Sequence, residues 1–529
     1  MSFGFLLPAD NDPYLKITRG LDIFGKAYRE VAFHYVEAVD PEELMKYGIE
    51  QMLESLDPYT VFIDDTRGDE LEMLTSGRYG GIGVTVAMRD SQIYITAIIE
   101  DRAAFRAGVR VEDVIVSVDS VDVHGMRLDA VRALVRGAPG STVRLRVKRE
   151  DAPQILEFVM VREEIVLRNV TCARMVDSST GYIKLEHFTR GAGEEVRTAV
   201  RDLRRQGASR LVLDLRDNPG GLLDQAVAVV EQFVPRGNVI VTTRGRGQEP
   251  EHQYRSEQEP VAVDLPLAVL VNRESASASE IVAGALQDLD RALIVGTRTY
   301  GKGLVQTVTP LPYNTSLKIT TAKYYTPSGR CIQEIDYARR RGEIFLPFPD
   351  SARKTFYTRS KRPVREEGGV TPDSTVTAPI VSDFIAGLDR KNIVRPYFAR
   401  QDTAVLARRT PQELVEDFLR VVRDARYQYA GRLTMILDSA MAEAKGIGAG
   451  PDIVDGLAGI RSRMAMEWEH ALRGQEQELR RKLEFAREQY LHGSAAAIGM
   501  GLKYDRAYQT ASALLASPTA MHAMLGTGD

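Results

Sequence analysis

Ser277 stands in Glu274-Ser275-Ala276-Ser277-Ala278-Ser279-Glu280, just after an apolar run ending at Val271 and just before the helical-looking Ile281-Val282-Ala283-Gly284-Ala285-Leu286. A buried strand that turns sharply into a helix exposes one side chain and aims unpartnered backbone N–H groups at it. That position suits an acyl-transfer nucleophile, because those N–H groups stabilise an oxyanion. A serine-rich helix cap produces the same local sequence, since serine is a favoured N-cap. Further along lies Gly301-Lys302-Gly303, with Gln306 following. A neutral lysine can take the proton from a serine hydroxyl. An ordinary lysine pKa makes the neutral form unfavourable at pH 7 by about 4.6 kcal/mol. Burial that lowers the pKa by roughly 3–5 units removes most of that barrier. A Ser277–Lys302 pair therefore demands a buried lysine, with Gln306 placed to orient its amine. The competing reading is a lysine in a surface turn.

Two glycine-rich stretches could complete such a site. Asp214-Leu215-Arg216-Asp217-Asn218-Pro219-Gly220-Gly221 follows a buried-strand pattern and precedes a helical one. Its paired glycines allow close backbone approach, so Gly220 or Gly221 can supply a second oxyanion N–H beside that of Ala278. Tyr79-Gly80-Gly81-Ile82-Gly83-Val84 leads into a β-type run. Backbone N–H groups of Gly81, Ile82 and Gly83 can hold a peptide's terminal carboxylate. The peptide then adds as a strand beside Gly83–Ala87, starting at Val84, and Leu134 lines an apolar pocket for its last side chain. Gly296-Thr297-Arg298-Thr299-Tyr300-Gly301-Lys302-Gly303 nearly spells a phosphate-binding loop, but Gly303 replaces the required Ser or Thr. Leu304–Val308 also alternates like a strand, where a phosphate loop must open a helix.

The elements that must carry these residues fall into four regions. Residues 1–78 read as helical, with Leu21, Phe24, Tyr28, Val31 and Tyr35 on one stripe and Asp40-Pro41 opening a second helix. Residues 79–160 are short β-type runs with one helix at Leu128–Val135. Residues 161–378 alternate apolar strands and amphipathic helices, the pattern of an α/β layer with a largely parallel sheet. Within them, 335–370 reads as an irregular surface excursion rich in Arg, Pro and Gly. Residues 379–529 return to helix.

The chain has 529 residues and a net charge of -4, so no basic footprint points to nucleic acid. Cys172 and Cys331 are its two cysteines, which excludes a disulfide framework. No His, Cys and Asp cluster has metal-ligand spacing. No apolar run is long enough to span a bilayer, and Met1–Pro8 lacks the basic start of a signal peptide.

Together SASASE, DLRDNPGG, GKGLVQ, YGGIG and Tyr325-Thr326-Pro327-Ser328-Gly329-Arg330, in their order, resemble the C-terminal processing peptidases, also called tail-specific proteases. The resemblance covers roughly 20–378. It implies a ClpP/crotonase-like α/β core, an inserted PDZ domain, and N- and C-terminal helical regions. It assigns Ser277 as nucleophile, Lys302 as base and Gln306 as its support, with Ala278 and Gly220 or Gly221 at the oxyanion. It implies no cofactor and no metal. The expected substrates are proteins or peptides with free, apolar C-termini, and the expected location is the periplasm or cell envelope.

Three details stand apart. Glu112 occupies a turn where many PDZ domains have glycine, so positive φ there is strained by about 1 kcal/mol. Glu274, near the nucleophile, should point away, because a carboxylate at Lys302 would favour its charged form. Arg162, at the junction of the two regions, either couples them or is a solvated linker residue. In 379–529, Leu457, Ile460, Met464, Trp468, Leu472, Leu479, Leu483, Ala486 and Tyr490 form one helical stripe. Its partner is either the helix starting near Pro411 or the same region of a second chain. The segment is accordingly assigned to assembly, as a homodimer or an adaptor contact, and not to chemistry.

Overall fold

The computed structural model describes residues 12–64, 75–89, 91–99, 101–149, 152–246, 251–341, 344–349, 351, 353–366, 368–377, 382–390, 393–424 and 432–526. They divide into two units.

The larger unit is built on a six-stranded sheet. Arg210–Asp214, Leu267–Val271 and Leu293–Gly296 carry apolar side chains at nearly every position, which suits strands covered on both faces. They pair in parallel, with Leu213 beside Val269 and Val269 beside Ile294. Thr180–Leu185 extends the parallel set, Val170–Met175 closes that edge antiparallel, and Ser374–Thr375 ends the other. Helix Ala192–Arg205 is amphipathic: Val196, Ala199, Val200 and Leu203 are buried while its arginines and glutamates mostly face outward. It packs beside Leu223–Val230, which packs in turn beside Ala278–Asp288.

The C-terminal region goes to two places. Tyr182, Val212, Ala268, Leu270, Leu293 and Val295 share one face of the sheet by strand alternation. They pack under Leu502, Ala507, Tyr508, Ala511, Leu515, Met521 and Leu525. These last residues come from Leu502–Tyr504 and from helices Arg506–Leu515 and Pro518–Leu525. The end of the chain is therefore a layer of the α/β core. Helical periodicity alone cannot tell a helix that covers a sheet from one that packs on another helix. Helices between residues 383 and 424 and the later part of the long helix that follows form a separate cluster. Leu479 and Leu483 of helix Pro451–His492 are buried against Leu414, Val415, Phe418 and Val422 of helix Pro411–Asp424. The apolar stripe is thus covered within the same chain at Leu479, Leu483 and Ala486, while Ile460 and Tyr490 are exposed; the side chains of Met464, Trp468 and Leu472 lie outside the described residues.

The β-rich region forms a second core in this unit. Its strands run in the order Val84–Arg89, Gln92–Ile98, Val114–Val118, Thr142–Lys148, Leu156–Val161. Thr142–Lys148 shows why: Val143, Leu145 and Val147 are fully buried and the residues between them exposed. Helix Leu128–Val135 closes the core with Val131 and Val135. Glu112 has φ 73°, the positive value anticipated for its turn, and its carboxylate accepts from Arg89 at 2.8 Å.

The smaller unit comprises 1–68, 305–322 and 336–346. Helices Pro13–His34 and Pro41–Glu54 are each capped by an aspartate, Asp12 and Asp40. Val61–Ile63 pairs antiparallel with Ser316–Lys318. Residues 335–370 are not the irregular excursion that their composition suggests. Ile335–Arg341 pairs with Ile344–Pro347, and Thr355–Tyr357 with Pro363–Arg365. In the first hairpin Tyr337 packs edge-on to Phe345 at 4.8 Å, and Arg340 lies over the Phe345 ring. Arginines that cover an aromatic ring satisfy a strand as well as apolar residues do.

Candidate active site

The strand Leu267–Val271 ends at a tight turn from which helix Ala278–Asp288 departs. Three serines in this turn have distinct surroundings. Ser275 is fully buried; its Oγ accepts from the Asn272 N–H at 2.9 Å and donates to the Leu215 carbonyl at 2.8 Å. Ser279 is also fully buried and donates to the Asn218 carbonyl at 2.9 Å. Ser277 is half-buried and caps the helix with φ 54° and ψ -112°. That backbone state costs on the order of 1–3 kcal/mol in a residue with a Cβ and persists only where its surroundings hold it.

Glu280 does much of the holding. Its carboxylate is fully buried and receives four donors: the N–H of Ser277 and of Lys302 on Oε2, both at 2.9 Å, and the Gly301 N–H at 2.7 Å and Thr299 hydroxyl at 2.6 Å on Oε1. One side chain thus joins the serine turn to the loop carrying Lys302. Burial pushes the Glu280 pKa up to about 7, against the opposing pull of those donors. The Tyr324 hydroxyl makes a second link, donating to the Ser277 carbonyl at 3.1 Å and reaching the Lys302 carbonyl. Lys302 is half-buried between Gly301 and Gly303, which are buried. Gly301 has φ 94°, and a Cβ there would lie 2.7 Å from that of Glu334. Gln306 sits in strand Leu304–Pro310 with its amide donating to Thr320 at 3.3 Å. Glu274 is exposed.

The loop after Asp214 wraps against the same turn. The Asn218 side chain donates to the Leu185 carbonyl at 2.8 Å and accepts from the Gly220 N–H at 2.9 Å; its carbonyl accepts from the Ala276 N–H at 3.1 Å. Gly220 has φ 99°, and a Cβ on it would fall 2.8 Å from that of Ser277 and 2.9 Å from the Ala278 nitrogen. No other residue fits there. Gly221 follows in a parallel bridge to Phe188.

In the β-rich region Gly81 ends a strand that pairs with Glu163–Val166. Ile82 is fully buried in the core, and Gly83 has φ 81° with no room for a Cβ beside Arg102. Val84 opens the outermost strand of the sheet. Helix Leu128–Val135 packs against that strand, with Leu134 partly buried on the core. Arg162 is not a solvated linker residue. It is buried and donates to the carbonyls of Leu134, Val135 and Thr142 and to the Ser141 hydroxyl. It thereby fixes the end of this helix, next to where the Gly137 N–H meets the Gly80 carbonyl at 3.2 Å.

Three contributors escaped sequence reasoning. Glu280 had a signal: Ser277-x-x-Glu280 is a capping box, and both of its bonds are present. Asn218 lies within the Asp214–Gly221 stretch and its bond to Gly220 is local, but its bonds to Leu185 and Ala276 are not, and Tyr324 had no signal because its partners are distant in sequence.

Residues 179–338 match the model of peptidase family S41, and residues 80–159 match that of a PDZ domain. A carboxy-terminal-processing protease of Bartonella bacilliformis is 38% identical over 316 residues, spanning 59% of this chain and 72% of that one. A carboxyl-terminal-processing protease of Synechocystis sp. is 36% identical over 295 residues, spanning 54% and 68%. The PDZ domain of a carboxy-terminal protease from Vibrio cholerae, solved in complex with peptide, is 34% identical, spans 17% of this chain and 99% of that one, and superposes with a TM-score of 0.16. Among the described residues no helix is long and apolar enough to cross a membrane.

Proposed function

Because the chain belongs to the carboxy-terminal processing proteases of peptidase family S41, we propose that it cleaves proteins through a Ser277–Lys302 dyad after its PDZ domain captures their C-terminal tails. Neutral Lys302 takes the proton from Ser277 Oγ as the oxygen attacks the scissile carbonyl. The N–H groups of Ala278 and Gly221 hold the oxyanion. Gly220 is the weaker candidate for the second donor, since its N–H is committed to Asn218. Collapse of the tetrahedral intermediate expels the amine, which receives the proton from Lys302. Water then attacks the acyl-enzyme with Lys302 again as base, and the acid product leaves Ser277 as it began.

The observation that carries this reading is Glu280. It ties the backbone of Ser277 to that of Lys302 inside one buried carboxylate cage. Ser277 is also set apart from its neighbours, since Ser275 and Ser279 are both buried and bonded. For tail capture, the support is a positive-φ glycine loop leading into an outermost strand. The terminal carboxylate meets the N–H groups of residues 81–83, the tail pairs with the strand from Val84, and its last side chain meets Leu134. We further take the core to be ClpP/crotonase-like, Gln306 to support the lysine, and the site of action to be the periplasm or cell envelope, as the family resemblance implies.

The test is casein and peptide cleavage by the purified full chain and by Ser277→Ala and Lys302→Ala. Each variant should lose cleavage by on the order of 10⁴-fold or more while unfolding as the wild type does. Near-normal activity in either would overturn the dyad.

A further inference from the structure

We propose that Asp505, near the C-terminus, is a positioning residue for catalysis: through Arg216 it holds the loop that supplies the second oxyanion donor. The proposal rests on the reading of Gly220 and Gly221 given above, and it joins the C-terminal segment to the chemistry.

The chain of contacts begins at Asp214, fully buried at the end of a central strand. Asp214 accepts from the Tyr182 hydroxyl at 2.7 Å and lies 3.5 Å from the Lys184 ammonium. It also accepts from the Arg216 backbone N–H at 2.9 Å and from Arg216 Nε at 3.0 Å. The guanidinium of Arg216 continues outward to Asp505, with Nη2 2.6 Å from Oδ2. Both side chains of that pair are largely covered, at 22% and 19% exposure, so solvent screens it little. Two acids and two bases balance in this cluster. Removing the charge of Asp505 leaves an excess positive charge and releases the outer side of the guanidinium.

Arg216 immediately precedes the part of the loop that matters. Asp217 has φ 61°, and its backbone N–H and carboxylate are both held by Asn272, at 3.0 and 2.7 Å. Asn218 then sets Gly220 against Ser277 and Ala278. A strained loop of this kind keeps its shape only while both ends are pinned. Asn272 and Asn218 pin it from the core, and Asp505 pins it from helix Arg506–Leu515. That helix is seated on the sheet by Tyr508, Ala511 and Leu515.

The experiment compares steady-state cleavage of an unstructured peptide by the full-length wild type and by Asp505→Asn, Asp505→Glu and Met521→Ala. Asp505 caps its helix by accepting the Tyr508 N–H at 3.1 Å, and asparagine caps equally well, so Asp505→Asn removes the charge and keeps the helix start. Met521 is buried in the same C-terminal layer and is neither a member of the Asp214–Arg216–Asp505 ion-pair chain nor a residue of the loop, so Met521→Ala reports loosened packing of that layer. Asp505→Asn should lower kcat on the order of tenfold, the effect of a sub-ångström misplacement of an oxyanion donor, with KM within about twofold. Asp505→Glu should recover most of that kcat, and Met521→Ala should lower the unfolding temperature and keep kcat. The proposal is overturned if Asp505→Asn keeps wild-type kcat, if its loss lies in KM, if glutamate rescues nothing, or if Met521→Ala loses kcat equally. Ser277→Ala run alongside keeps the two readings apart: activity surviving there refutes the underlying dyad, whatever Asp505 does.

Discussion

Replacing Glu280 by glutamine tests the cage that joins Ser277 to Lys302. Glutamine has one acceptor oxygen where the carboxylate has two. In its best orientation the oxygen keeps the N–H groups of Ser277 and Lys302, and the amide nitrogen turns toward Thr299 and Gly301. The Thr299 hydroxyl can rotate and accept, but the Gly301 N–H then faces another donor, at a cost of about 1–3 kcal/mol. Protonated Glu280 meets the same restriction, so wild type and variant should be nearly level in stability at low pH. They diverge as pH rises. Burial raises the carboxyl pKa from 4.5 to about 7, so the native state holds this proton more tightly than the unfolded chain does. That stabilisation is complete below pH 4.5 and is lost as pH climbs through about 7. The shift corresponds to about 3 kcal/mol. At pH 8 Glu280→Gln should therefore be the more stable protein. Its kcat should nonetheless fall on the order of 100-fold, because the Lys302 loop loses one of its fixed bonds and the reacting atoms drift apart. The wild type should gain activity through pH 7 as the cage ionises, in addition to any contribution from Lys302, and that rise should be absent from the variant. Hydrogen exchange of the Ala278–Asp288 amides across pH 4.5–8, alongside peptide kinetics, reads both quantities. A pH-independent stability difference, or a variant with wild-type kcat, refutes the reasoning.

Ser275→Ala orphans the Asn272 N–H and the Leu215 carbonyl, so it should destabilise by about 1–3 kcal/mol; unlike Ser277→Ala, it should still cleave, and a dead but folded Ser275→Ala would move the nucleophile. Amidating the C-terminus of a PDZ-binding peptide should weaken capture about 10- to 100-fold through lost charge-assisted bonds; equal affinity for acid and amide, by titration calorimetry, contradicts carboxylate capture. Ending the chain after residue 380 strips Leu502, Tyr508, Leu515, Met521 and Leu525 from the sheet. At about 1.5–3 kcal/mol for each large side chain, that loss rivals the stability of a whole domain, so the shortened chain should aggregate or bind hydrophobic dyes; a soluble, cleaving product would refute the packing.

Part of the candidate site was legible in short-range pattern. Ser277 follows a buried apolar strand and opens a helix, an order that suits an elbow and a serine-rich cap alike. Alternation in Thr142–Lys148 and the apolar runs at Leu211 and Leu267 revealed the strands, because a strand's burial is written at a period of one or two residues. Glu280 was legible as the fourth member of a capping box, although not as the bridge to Lys302, which belongs to a different element. Other facts had no local trace. Which of three serines is accessible depends on the distant Leu215 and Asn218 carbonyls that bury the other two. Whether Arg162 is solvated depends on four acceptors contributed by the Leu134–Thr142 stretch. The apolar stripes after residue 379 said that those helices bury a face but not against what. Helical period records only that one side avoids water, and only the folded chain decides that Leu479 joins the cluster of Phe418 while Leu515 packs on the sheet.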